Sequence, residues 1–224
     1  MFIDKQFGQL KYTVQLPKGW SEEKPYPVII LMHGAGTRGT DLNNIKDNPF
    51  FHITGQLTEF PFVVAAPLCE AEKTWFDYFE TLREFTQFIS QESYADPERI
   101  YLMGASMGGY AVWQMAMSDP QRYAAIVPIC GGGMYWNASR LASLPVWAFH
   151  GDSDTVVYTE ESRKMVEKIQ KAGGDARLTI YENCGHNAWT DTYGDPEVFR
   201  WLLRHKRTDA KAGSADFTDS KIYG

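Results

Sequence analysis

The chain has 224 residues, of which 44% are hydrophobic and 22% charged, enough apolar content for one large domain with a substantial core. Its net charge of -6 argues against nucleic acid or an anionic membrane as partner, since both select basic surfaces. No apolar run approaches the ~18 residues of a membrane span, and "MFIDKQFGQL" lacks the charged-then-apolar pattern of a secretory signal, so a cytoplasmic location is expected.

In chain order, "FGQLKYTVQLPKGW" alternates roughly and ends in a Pro-Lys-Gly turn, which predicts an antiparallel strand at a sheet edge. "PVIILMHG" (27–34) and "FVVAAP" (62–67) are short apolar runs closed by turn residues, as buried parallel strands should be. Tyr78, Leu82, Phe85 and Ile89 then mark one apolar helix face. "RIYLMG" reads as a strand, residues 107–117 as a helix, and "AAIVPICG" and "PVWAFHG" as further strands. A helix over 159–172 stops at Gly173-Gly174, and the strand "ARLTIYE" follows. Asp195-Pro196 caps the final helix, which runs through Val198, Trp201 and Leu202.

Alternating strands and helices imply one doubly wound α/β domain over 1–207, its mostly parallel sheet flanked by helices, with a polar tail over 208–224. Ligands of such folds bind beyond the carboxyl ends of the strands. The three cysteines, Cys69, Cys130 and Cys184, form no CxxC pair, so reduced thiols are expected; a Cys130–Cys184 bridge fits the count, but nothing in the sequence supports it.

The residues just past each strand carry the chemistry. Gly104-Ala105-Ser106-Met107-Gly108 follows a strand and precedes a helix, the context a G-x-S-x-G nucleophile turn requires. Side chains two residues from the serine would crowd so sharp a turn, hence the glycines. The helix start favours negative charge developing there. A serine nucleophile needs a base, and the base an orienting acid. Of five histidines, His205 reads as surface, His52 as a loop residue, and His33 and His150 as loop braces at strand ends; His186, in the loop after the last strand, is the best base. "HGDSDTVV" offers Asp152 and Asp154, and the H-G-x-x-D-x-x-V spacing favours Asp154, with Asp152 capping the turn. "HGAG" at 33–36 supplies the remaining part, an oxyanion hole formed by the amides of Ala35 and Met107.

The blocks "HGAGTRGTDLNNI", "DPERIYLMGASMGGYAVWQMA", "AAIVPICGGG", "PVWAFHGDSDTVV" and "CGHNAW" together resemble the α/β-hydrolase superfamily. Within it they look like single-domain bacterial esterases of the phospholipase/carboxylesterase group, with feruloyl-esterase and polyhydroxybutyrate-depolymerase-like modules as relatives. The resemblance spans nearly all of 7–205 and is specific for fold and triad rather than substrate. That group often carries an acidic residue where this chain has Thr37, so no ion-pair partner for Arg38 is supplied there.

Only "GGGMYWNASRLAS" separates two strands where many α/β-hydrolases insert a helical lid, so a compact, open site without a large lid domain is expected. Trp75, Tyr135, Trp136 and Trp189 fall past strand ends, and Trp75, Trp136 and Trp189 are candidate substrate-binding residues. The expectation is a serine carboxylesterase acting on short-acyl or aryl esters, including feruloyl or acetyl esters of carbohydrate, through Ser106, His186 and Asp154. It calls for no metal and no organic cofactor. A peptidase of prolyl-oligopeptidase type and a non-catalytic hydrolase-fold binding protein are the alternatives.

Overall fold

The computed structural model describes residues 1–207; the tail expected over 208–224 lies outside the described residues. The strands are β1 (Phe2–Phe7), β2 (Leu10–Gln15), β3 (Tyr26–Met32), β4 (Val63–Pro67), β5 (Ala95–Ala105), β6 (Ala125–Ile129), β7 (Val146–Gly151) and β8 (Ala176–Tyr181). The helices are α1 (Asn43–Lys46), α2 (Pro49–Thr54), α3 (Phe79–Gln91), α4 (Met107–Ser118), α5 (Glu160–Lys171), α6 (Trp189–Gly194) and α7 (Pro196–Leu203). One eight-stranded sheet runs in the order β1-β2-β4-β3-β5-β6-β7-β8. β2 pairs antiparallel with β1 and β4, and all later neighbours are parallel.

All seven residues of β3 are buried. Val28, Ile30 and Met32 enter the core shared with α3, α4 and α5. Ile29 and Leu31 enter the opposite core, shared with α2 and α7. Strand alternation therefore feeds two apolar layers, which is why these strands read as continuous hydrophobic runs. Helix α5 shows how the outer layer is specified. Met165, Val166 and Ile169 face inward, while Glu160 and Glu161 begin the helix and Lys168 and Lys171 end it, each charge opposing the helix dipole.

The N-terminal edge departs from the expected single strand. It is a hairpin of β1 and β2 turned at Gly8, whose φ of 55° suits glycine. β1 is largely exposed and mixes polar with apolar residues, so it carries no apolar run. α1, α2 and α6 are too short for a helical period to register. His52 accordingly sits in the last turn of α2 rather than in a loop. Between β6 and β7 the helical element is a 3-10 stretch, Tyr135–Leu141, and no lid-sized insertion occurs there. Among the described residues, no helix is long and apolar enough to cross a membrane.

Candidate active site

Ser106 sits at the junction of β5 and α4 with φ 57° and ψ -120°, a conformation unfavourable for a residue with a side chain. Two features hold it there. The Ser106 amide donates to the Ile129 carbonyl (2.9 Å), and its own carbonyl accepts from the Tyr110 amide inside α4. The flanking glycines permit the turn, because a Cβ on Gly104 would lie 2.6 Å from the Met32 carbonyl oxygen and one on Gly108 would overlap the Met32 backbone. The strain is thus held by close packing of β5 and α4 on the end of β3.

The Ser106 hydroxyl lies 2.9 Å from His186 Nε2, and His186 Nδ1 lies 2.7 Å from Asp154 Oδ2. Asp154 Oδ1 accepts the Val156 and Val157 amides, each at 2.9 Å. Burial works to raise the pKa of this carboxyl, but the bonds from His186, Val157 and Val156 outweigh it and hold the group below the usual carboxylate range. An ionised Asp154 makes Nδ1 of His186 the protonated nitrogen, which leaves Nε2 free to accept from the serine. Asp152 is elsewhere: its Oδ1 accepts from the Ser153 hydroxyl and the Cys184 amide, bracing the turn that carries His186.

The other histidines brace loops or pack. His33 Nε2 accepts the Cys69 amide (3.0 Å), and its Nδ1 donates to the Gly34 carbonyl (2.8 Å). Buried His150 donates from Nε2 to the Val157 carbonyl (2.9 Å) and stands 3.3 Å from Asp154 Oδ2, backing the loop from behind. His205, expected on the surface, packs its ring edge-on against Trp201 with centroids 4.6 Å apart.

An apolar cleft of about 350 Å³ opens at Ser106 and His186, walled by Ala35, Thr37, Asn48, Val156, Trp189 and Tyr193. Of the expected oxyanion donors, Ala35 lines the cleft, whereas Met107 is not among its walls and stands as the first residue of α4, beside Ser106. Neither amide has a hydrogen-bond acceptor among the described residues. Trp189 stands edge-on to His186, with centroids 5.5 Å apart. Trp75 and Trp136, also expected to bind substrate, are not in the cleft. Trp75 is fully buried and donates its indole N–H to the His33 carbonyl (2.9 Å), because its 3-10 turn points Trp75 and Tyr78 into the core and leaves Phe76 and Asp77 exposed. Trp136 is 64% exposed on the 3-10 stretch after β6, away from the cleft walls. Asn48 and Tyr193 were missed in the sequence. Asn48-Pro49 is a readable helix cap, and Trp189 and Tyr193 are one helical turn apart, the only signals that mark them.

The cysteines are free thiols. Cys130 is buried, with φ 39°, and burial pushes its thiol up to about 12. Its sulfur, Asp154 and His186 set donor atoms within 4.8 Å of one another, the group among the described residues with metal-ligand spacing. Two of those donors are already committed to the chain from Ser106, and a metal held there would dismantle it.

A serine, a histidine and an aspartate joined by hydrogen bonds beyond the carboxyl ends of a mostly parallel sheet is the arrangement of the α/β-hydrolases. Within that class the chain belongs to the dienelactone hydrolase family, whose profile matches residues 70–211. It is 22% identical over 176 residues to feruloyl esterase D of Neurospora crassa, covering 73% of this chain and 60% of that protein. It is 21% identical over 230 residues to dipeptidyl-peptidase 5 of Porphyromonas gingivalis, covering 80% of this chain but only 33% of the relative. Among solved structures, a thermostable esterase superposes with TM-score 0.78 at 29% identity, over 92% of this chain and 63% of the other. Est1E from Butyrivibrio proteoclasticus superposes with TM-score 0.69 at 14% identity, over 91% of this chain and 99% of the other.

Proposed function

We propose that the protein is a serine carboxylesterase, with residues 1–207 as one catalytic unit. The observation that carries this reading is the continuous bond path from the Ser106 hydroxyl through His186 to ionised Asp154 at the mouth of an apolar cleft. In the reaction, Ser106 Oγ attacks the ester carbonyl while its proton passes to His186 Nε2, and Asp154 steadies the imidazolium. The carbonyl oxygen becomes an oxyanion facing the Ala35 and Met107 amides. His186 then returns the proton to the leaving alcohol, and water, activated the same way, releases the acid from the acyl-enzyme.

The cleft volume suits a short or aryl acyl group, with Trp189 as the flat wall against which a ring can pack. Feruloyl and acetyl esters of carbohydrate are therefore the first substrates to examine, and the feruloyl esterase relative supports that choice. Likeness to dipeptidyl peptidases supports a second reading, peptide hydrolysis by the same three residues. The test is a panel of aryl acetates, feruloyl esters and aminoacyl arylamides against the wild type and Ser106→Ala. Ester turnover that disappears with Ser106 supports the esterase; arylamide turnover exceeding ester turnover supports the peptidase and overturns it.

A further inference from the structure

The Ala35 amide is asked to meet a developing negative charge, a task that demands a fixed donor. The Gly34 carbonyl, in the same peptide unit, is held by His33 Nδ1 (2.8 Å) and by the Thr37 amide (3.2 Å), but side-chain packing adds little. Ala35 is exposed, no residue of its 3-10 turn (Ala35–Thr37) is buried, and glycines stand on both sides of it. Asn48 Nδ2 donates to the Thr37 hydroxyl (3.0 Å), and the peptide that follows Ala35 is held by Arg38. The backbone amide of Arg38 (3.3 Å) and its Nε (3.0 Å) both donate to the Ala35 carbonyl, while Nη1 donates to the Lys73 carbonyl (3.2 Å) in the loop after β4. Among the described residues, the guanidinium hydrogen bonds go to these two carbonyls rather than to a carboxylate.

The loop after β4 is in turn fastened to the same region. It receives the Gly39 amide on the Cys69 carbonyl (3.0 Å), and it sends the Cys69 amide and the Trp75 indole to His33. A planar guanidinium bridging carbonyls of two loops fixes both their separation and the plane of the peptide that follows Ala35, which a flexible ammonium does less well. We propose that Arg38 is a positioning residue for the esterase reaction, anchoring the downstream side of the turn that carries the Ala35 amide without touching the substrate. This inference rests on the reading of the protein as a serine esterase.

A donor that is loosened rather than deleted weakens binding of the tetrahedral intermediate and leaves ground-state binding nearly unchanged. The effect therefore falls on kcat. The experiment measures wild type, Arg38→Lys and Arg38→Ala on a soluble aryl acetate, with and without sub-denaturing guanidinium chloride, with thermal unfolding followed in parallel. An aryl trifluoromethyl ketone is titrated against each variant, because its hemiketal with Ser106 bears the oxyanion. Complete loss of an oxyanion donor costs about 10²–10³ in kcat, so loosening one should cost about tenfold in Arg38→Ala, with KM within about twofold. Arg38→Lys falls between, added guanidinium restores part of the Arg38→Ala rate, and ketone affinity drops in step with kcat/KM. If Arg38→Ala does not fold, Arg38→Lys and Arg38→Gln carry the same comparison. An unchanged kcat, or a rate loss accompanied by unchanged ketone affinity, overturns the proposal. The esterase reading fails separately, through a wild type without Ser106-dependent ester turnover.

Discussion

His33 makes acid stability a measurable consequence of how the oxyanion loop is built. The ring is 4% exposed, accepting at Nε2 and donating at Nδ1, so the neutral tautomer fills both bonds and a second proton would face the Cys69 N–H. Burial lowers its pKa from the ordinary 6.5 to about 4, opposed by the bond to the Gly34 carbonyl and reinforced by the nearby Arg38 charge. The sign follows from proton counts. Between pH 6.5 and 4 the unfolded chain binds a proton that the native state refuses, so stability falls as pH falls through that window. Above it both states are neutral and the full stability is present; below it the native ring is protonated too and the loss levels off. A shift of this size is worth about 3 kcal/mol at roughly 1.4 kcal/mol per pH unit. Urea unfolding of wild type and His33→Gln, at pH 7 and pH 4, isolates the contribution, since the glutamine oxygen replaces the Nε2 acceptor but does not titrate. Wild type should lose about 3 kcal/mol more than the variant across that interval. Parallel losses in the two proteins would refute the argument that His33 is held neutral by its loop.

Ser106→Ala should fold normally and lose about 10⁶ in kcat, and a fluorophosphonate should label Ser106 in the wild type; an adduct at another residue would sink the assignment. Asp154→Asn should cost about 10⁴ because the amide cannot hold the reactive imidazole tautomer, whereas Asp152→Asn disturbs only a turn and should be mild. The reverse ranking would identify the wrong carboxylate. Trp189→Ala should lower kcat/KM for aryl esters about two- to tenfold and spare Trp136→Ala, matching a lost aromatic contact of roughly 0.5–1.5 kcal/mol. With no lid-sized insertion between β6 and β7, long-chain triglycerides should be poor substrates without activation at droplet surfaces; a rate jump at the interface would point to a moving cover.

Much of this architecture is written in local pattern. The central strands are legible because burial on both faces demands unbroken apolar runs, and α3, α5 and α7 because one buried face demands a helical period. Ser106, Asp154 and His186 are legible for a related reason. Each sits one to five residues past a strand end, in a turn whose glycines or spacing reflect a backbone constraint that only certain residues satisfy.

What the pattern leaves open is set by long-range packing. Nothing near Trp75 or Trp136 in the chain distinguishes a buried brace of His33 from an exposed ring, because the difference depends on which way a short 3-10 turn faces the core. The cleft is assembled from Thr37 and Asn48 after β3, Val156 after β7, and Trp189 and Tyr193 after β8, segments brought together by sheet order rather than by adjacency. Arg38 belongs to the same class: its carbonyl partner at Lys73 lies 35 residues away, a closeness produced by the pairing of β3 with β4. Sequence alone determined which side chains have chemistry to offer, since that is a property of residue type and local backbone. The tertiary structure decided which of them meet, because contact between distant segments is fixed only when the sheet closes its register and the two cores fill.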